Sequence, residues 1–124
     1  MGLWLPVAVC MAAMYYGAAM PMVPSPIANW FTDTMLHVGG YVVLSILTVR
    51  ATAGGHSRGV TSRALVLAFV IAMLHGLSVE WLQMYVPTRF AEWRDVFNDL
   101  AGVAVGLVVA WAWSIMRRKV RHDL

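Results

Sequence analysis

The chain has 124 residues, 60% of them hydrophobic and 12% charged, and a mean hydropathy of +0.70. A soluble domain averages about 45–50% apolar and about 25% charged residues, so this composition excludes a single small water-soluble core and points to one integral membrane domain over residues 1–124. The formal charge of +3 is therefore read by its position along the chain and not as a signal for nucleic acid. Cys10 is the only cysteine, which excludes an intramolecular disulfide and a cysteine-rich metal site.

A membrane-crossing helix needs about 20 mostly apolar residues to span about 30 Å of hydrocarbon. Four stretches qualify, near residues 3–23, 34–52, 63–84 and 95–116. Lipid offers no partner for open backbone groups, so each is predicted to be helical, and the fold class is an all-α four-transmembrane-helix bundle with short loops. The first stretch is rich in methionine. It has no Lys or Arg ahead of it, so it reads as a helix and not as a signal peptide. Pro21, Pro24 and Pro26 are expected to break the chain after it, "AGGHSRG" (53–59) separates the second stretch from the third, and Pro87 ends the third.

Basic residues set the expected orientation. Arg50, Arg58 and Arg63 flank the connection between helices two and three, and Arg117, Arg118, Lys119 and Arg121 crowd the tail. The connection between helices three and four holds only Arg89 and Arg94, and residues 24–33 hold none. With four spans, both termini fall on the side carrying seven of the nine basic residues, which is the cytoplasmic side of a plasma membrane.

The acids fall on the opposite face. Asp33 is expected to start helix two, Glu80 lies late in helix three, Glu92 follows in the loop, and Asp95 and Asp99 open helix four. For Asp33 and Asp95 capping competes evenly with a role in a site, because a carboxylate at a helix start accepts free N–H groups and complements the dipole. Capping fails for Glu80, which approaches a C-terminus inside an apolar run. Intramembrane carboxylates usually face a bundle interior and find a partner there.

Spacing gathers these residues. Asp33, His37 and Tyr41 stand at i, i+4 and i+8 on helix two, and Glu80 and Gln83 at i, i+3 on helix three. Asp95, Asn98, Gly102 and Gly106 follow one stripe of helix four, whose Gly102–Gly106 pair permits close helix packing. Arg89 hangs from the loop. His37, Glu80 and Asp95 are the candidate catalytic groups, since an imidazole beside carboxylates suits general acid–base work. Asp33, Tyr41, Gln83, Arg89 and Asn98 are the candidate ligand contacts, with Arg89 suited to a phosphate or carboxylate. Helix one, without a charged residue, is expected at the periphery.

A metal bound through Asp33, His37 and Glu80 has no strong spacing signal behind it, so no metal and no cofactor is assigned. His75, five residues before Glu80, suits a hydrogen bond to a neighbouring helix better than haem ligation. Trp111 and Trp113 read as lipid contacts.

"DTMLHVGGY", "VEWLQMYVPTR" and "DVFNDLAGVAVG" together resemble the VanZ-like family of small bacterial membrane proteins, over roughly residues 33–106. Asp33 and His37 match the family's D-x-x-x-H, Glu80 and Gln83 its E-x-x-Q, Arg89 its arginine after the proline, and Asp95, Asn98 and Gly102 its D-x-x-N-x-x-x-G. Thr34 replaces a frequent lysine and Thr88 a frequent glycine, changing the basic partner and the turn. The resemblance implies an inner-membrane protein of the cell envelope, in a family named for an association with glycopeptide resistance. The expected function is an outward polar pocket for an anionic lipid or envelope precursor, in which catalysis is open. The alternative is a non-enzymatic accessory subunit packed against a larger membrane complex. Membrane lipids are the expected partners in both readings, and nucleic acid is not.

Overall fold

The computed structural model describes residues 2–19, 26–54, 60–86 and 93–123, with side chains for 2–19, 35, 37–54, 60–86 and 93–117. They form four helices, α1 (Trp4–Ala19), α2 (Pro26–Thr52), α3 (Ser62–Gln83) and α4 (Trp93–Asp123), and no strand occurs among the described residues.

The helix ends follow local chemistry. Pro6 lies in the first turn of α1, where a missing N–H breaks no intrahelical bond. Pro26 opens α2 for the same reason, its fixed φ being already helical. This corrects the expected start of the second helix near residue 34. Pro26 begins the helix instead of breaking the chain, so Asp33 lies two turns inside α2 and is not its N-cap. Gly54, at φ 73°, takes the left-handed conformation just past Thr52. Thr61 caps α3 by accepting the Ala64 N–H at 3.2 Å. At its other end, Met84 N–H reaches the Glu80 and Trp81 carbonyls, and Tyr85 and Val86 bond three residues back, a tightening that uses carbonyls the helix leaves open.

Helix α3 buries Ala64, Ala68, Ala72, Gly76 and Glu80 at four-residue intervals, together with His75, Val79 and Gln83. Small residues along that stripe let neighbouring backbones approach. Helix α4 does the same with Gly102 and Gly106. A Cβ at Gly102 would sit 2.5 Å from the Val38 carbonyl oxygen and 3.0 Å from Tyr41 Cβ, and one at Gly106 would collide with Ser45 Oγ and lie 2.7 Å from the Val42 carbonyl oxygen. The GxxxG pair thus seats α4 on α2. Its register rises together on the two helices, so α2 and α4 run parallel, and α3 runs against both.

Helices α2, α3 and α4 are mutual neighbours, while α1 packs on α2 and α3 but not on α4 among the described residues. At the end away from the acids, Thr52 Oγ1 donates to the Ala64 carbonyl at 3.0 Å and Val60 N–H donates to Ser114 Oγ at 3.3 Å. Ser45 and Thr48 are fully buried and return their hydroxyl protons to Val42 and Leu44 carbonyls, so neither leaves an open donor in the core.

Two helices among the described residues are long and apolar enough to cross a membrane, Ser62–Gln83 and Trp93–Arg117, and α1 is apolar but shorter. Only 33% and 22% of those two spans are buried inside the bundle, so most of their apolar surface points outward. Leu74, Leu77, Trp81, Val105, Val108, Trp111 and Trp113 are exposed. An outward apolar face of that extent is the complement of lipid and not of water.

Candidate functional site: a buried His–Asp–Glu cluster

The site grows from three stripes that meet near the C-terminus of α3. Helix α2 turns His37 inward, α3 brings Glu80, and α4 brings Asp99; these are 7%, 7% and 1% exposed. One donor atom from each lies within 4.8 Å of the others. His37 Nδ1 and Asp99 Oδ1 are 2.6 Å apart, a length typical of a charge-assisted bond. A carboxylate can only accept, so Nδ1–H donates and the neutral ring carries its lone pair on Nε2. Asp99 reaches this depth because α3 offers Gly76 opposite it. A Cβ there would lie 2.9 Å from Asp99 Oδ2.

The other expected site residues can now be placed. Gln83 is buried one turn beyond Glu80, and Asp95 is buried one turn before Asp99, in the first turn of α4. Asn98 is partly buried, and its Nδ2 meets no acceptor among the described residues. The side chain of Asp33 and all of Arg89 lie outside the described residues. The carboxylate that meets His37 is Asp99, a residue the sequence reading placed at the helix start without a site role. Asp99 follows Asp95 by four and precedes Gly102 by three, so the same helical stripe carried the signal.

A second polar layer lies one turn deeper. Tyr41 OH is 2.9 Å from His75 Nδ1, and His75 Nε2 is 3.3 Å from the Met11 carbonyl oxygen. The carbonyl can only accept, so Nε2 carries the proton and, in the neutral ring, Nδ1 accepts from Tyr41. Ser78 Oγ donates to the His75 carbonyl at 2.6 Å and in turn meets the hydroxyl of Tyr15, whose ring lies 4.5 Å from that of His75. Both ring nitrogens of His75 thus face protein partners on other helices, the expected arrangement, and neither points at an open haem position. Helix α1 supplies Met11 and Tyr15 to this layer and so does more than fill the periphery. Nothing in its apolar sequence announced that role, because one of its contributions is a main-chain carbonyl.

Chemically, a histidine whose Nδ1–H is held by a buried carboxylate is an oriented proton acceptor at Nε2. A second carboxylate, that of Glu80, lies in the same cluster. An all-helical chain with membrane-length apolar helices and ionisable groups gathered inside is the construction of a helical membrane protein. Within that class, the chain belongs to the VanZ-like family: the VanZ/LLP1 family model matches residues 20–116. No match was found among the curated proteins or the solved structures.

Proposed function

We propose that the chain is a four-span protein of the bacterial plasma membrane whose outward-facing polar cluster receives the headgroup of an anionic lipid or envelope precursor. The observation that carries this reading is the convergence of His37, Glu80 and Asp99 from three helices at one end of the bundle. Burying two carboxylates among apolar helices is expensive, and a purely structural lock is a poor return, since apolar residues of similar volume hold a core as well or better. By length, α2 at 27 residues extends about 40 Å, enough to cross, while α1 at 16 residues extends about 24 Å and would cross with the residues that follow it.

The cluster holds two carboxylates, so an anionic headgroup arriving there needs a positive element beside it. In this reading Arg89, from the segment joining α3 to α4, holds the headgroup oxygens bidentately. His37, oriented by Asp99, stands ready to exchange a proton with the bound group. The test is the identity of lipid that co-purifies with the chain in mild detergent, read by mass spectrometry. Wild-type protein should carry an anionic lipid or precursor, and Arg89→Gln should retain at least about tenfold less, the worth of a charge-assisted hydrogen bond. Glu80→Gln, which keeps size but removes charge, should alter the retained lipid without unfolding the chain. Equal retention in all three proteins would sink the headgroup reading. Co-migration with a larger membrane protein, with no bound lipid, would favour the accessory subunit.

The orientation has its own test. With seven basic residues on one side and two on the other, reporter fusions at residue 124 should read as cytoplasmic and fusions within 85–94 as external. An external signal from residue 124 would reverse the topology and turn the cluster toward the cytoplasm.

A further inference from the structure

We propose that His37, Glu80 and Asp99 form a binding site for one divalent transition-metal cation, with Mn2+ and Zn2+ the ions that suit it. The proposal deepens the headgroup reading, because such an ion would supply positive charge where a lipid phosphate arrives, but the site is argued from its own donors.

The donor set is one imidazole nitrogen and two carboxylate oxygens from three different helices. Nitrogen and oxygen ligands of this mix suit Mn2+ and Zn2+. Metal centres built in helical-bundle cores use the same side chains, projected inward from facing helices. The geometry is close to closed. Three atoms no more than 4.8 Å from one another surround a point within about 2.8 Å of each, and zinc bonds to nitrogen and oxygen are about 2.0–2.2 Å. Side-chain adjustments of under about 1 Å would complete the set. An ion entering between His37 Nδ1 and Asp99 Oδ1 displaces the proton held there, which leaves to water.

Burial argues in the same direction, since all three donor side chains are more than nine-tenths buried and are held in one arrangement by the packing around them. Gly76 adds a steric reason, since a Cβ there would lie 2.9 Å from Asp99 Oδ2 and oblige the carboxylate to shift. The His75 layer lacks these properties: its partners are hydroxyls and a main-chain carbonyl, and it contains no carboxylate.

The experiment uses the full chain in mild detergent, stripped with a chelator and titrated with Mn2+, Zn2+ and, as a spectroscopic stand-in for zinc, Co2+. One ion should bind per chain, and Co2+ should develop visible absorption bands that saturate at one equivalent. His37→Gln, Glu80→Gln and Asp99→Asn should each weaken binding by about tenfold or more, while a His56→Gln/His122→Gln double variant should bind as the wild type does. Should Asp99→Asn fail to fold, Glu80→Gln and the wild-type Co2+ spectrum carry the test. No saturable binding, binding indifferent to the cluster substitutions, or binding lost in the His56/His122 variant would each overturn the site. Retained lipid is measured in the same samples. Lipid held by a chain that binds no ion would overturn the cation site and leave the headgroup reading standing. Ion binding without lipid would do the reverse.

Discussion

Gly106→Val should leave little folded protein. A side chain at this position meets Ser45 Oγ and the Val42 carbonyl, which lies 2.7 Å from the first added carbon. A carbonyl within a helix cannot swing aside as a side chain can, so α4 must move off α2 as a unit. Overpacking costs about 1–3 kcal/mol when side chains can yield, and the cost should exceed that range where backbone is struck. Thermal unfolding in detergent, with folded yield, measures it. Gly39→Ala is the control, because a Cβ there meets nothing within 4 Å. It should be neutral or stabilising, as alanine favours helix over glycine by about 0.8–1.0 kcal/mol. Equal behaviour of the two variants would mean that the GxxxG contact does not hold the bundle.

The second large effect is expected at Asp99. Asp99→Ala removes the acceptor for His37 Nδ1–H in a site where both side chains are more than nine-tenths buried, and opens a void beside Gly76. Breaking one side of a buried pair costs about 3–5 kcal/mol. Replacing both partners with apolar residues, as in His37→Phe/Asp99→Leu, should recover part of that loss while destroying any site function. A double-mutant cycle over His37 and Asp99 should then give a coupling of about 0.5–3 kcal/mol. Additive losses would mean that the 2.6 Å contact contributes nothing of its own. Stability and function are predicted to part company in the double variant, which distinguishes a working cluster from a lock.

Much of this protein was legible from its residues. Composition and run lengths indicated helices alone, and α3 begins and ends within one residue of its expected bounds because the turn segment 53–59 and Pro87 are local signals on either side of it. The inward stripes of α2, α3 and α4 follow from the helical period. His37 and Glu80, singled out by that period, each bring a ligand atom to within 4.8 Å of the other, and the VanZ-like motifs pointed to the family whose model covers residues 20–116. The start of α2 at Pro26 departs from the expected start near 34 because proline is both a helix breaker and a good first helical residue, and the choice between them depends on context beyond the dipeptide.

What the sequence determined by itself is the kind of element, the face each one buries and the small residues that permit close approach. It could not decide which carboxylate His37 would meet. Asp95 and Asp99 lie on neighbouring turns of one stripe, and periodicity treats them alike. The choice is made by the axial register of α4 on α2, which is set where Gly102 seats against Val38 and Tyr41 and Gly106 against Val42 and Ser45. That register brings Asp99 level with His37, leaves Asp95 a turn further along, and needs Gly76 of a third helix to make room. Each of these is a relation between helices distant in sequence, so only their packing together could fix it.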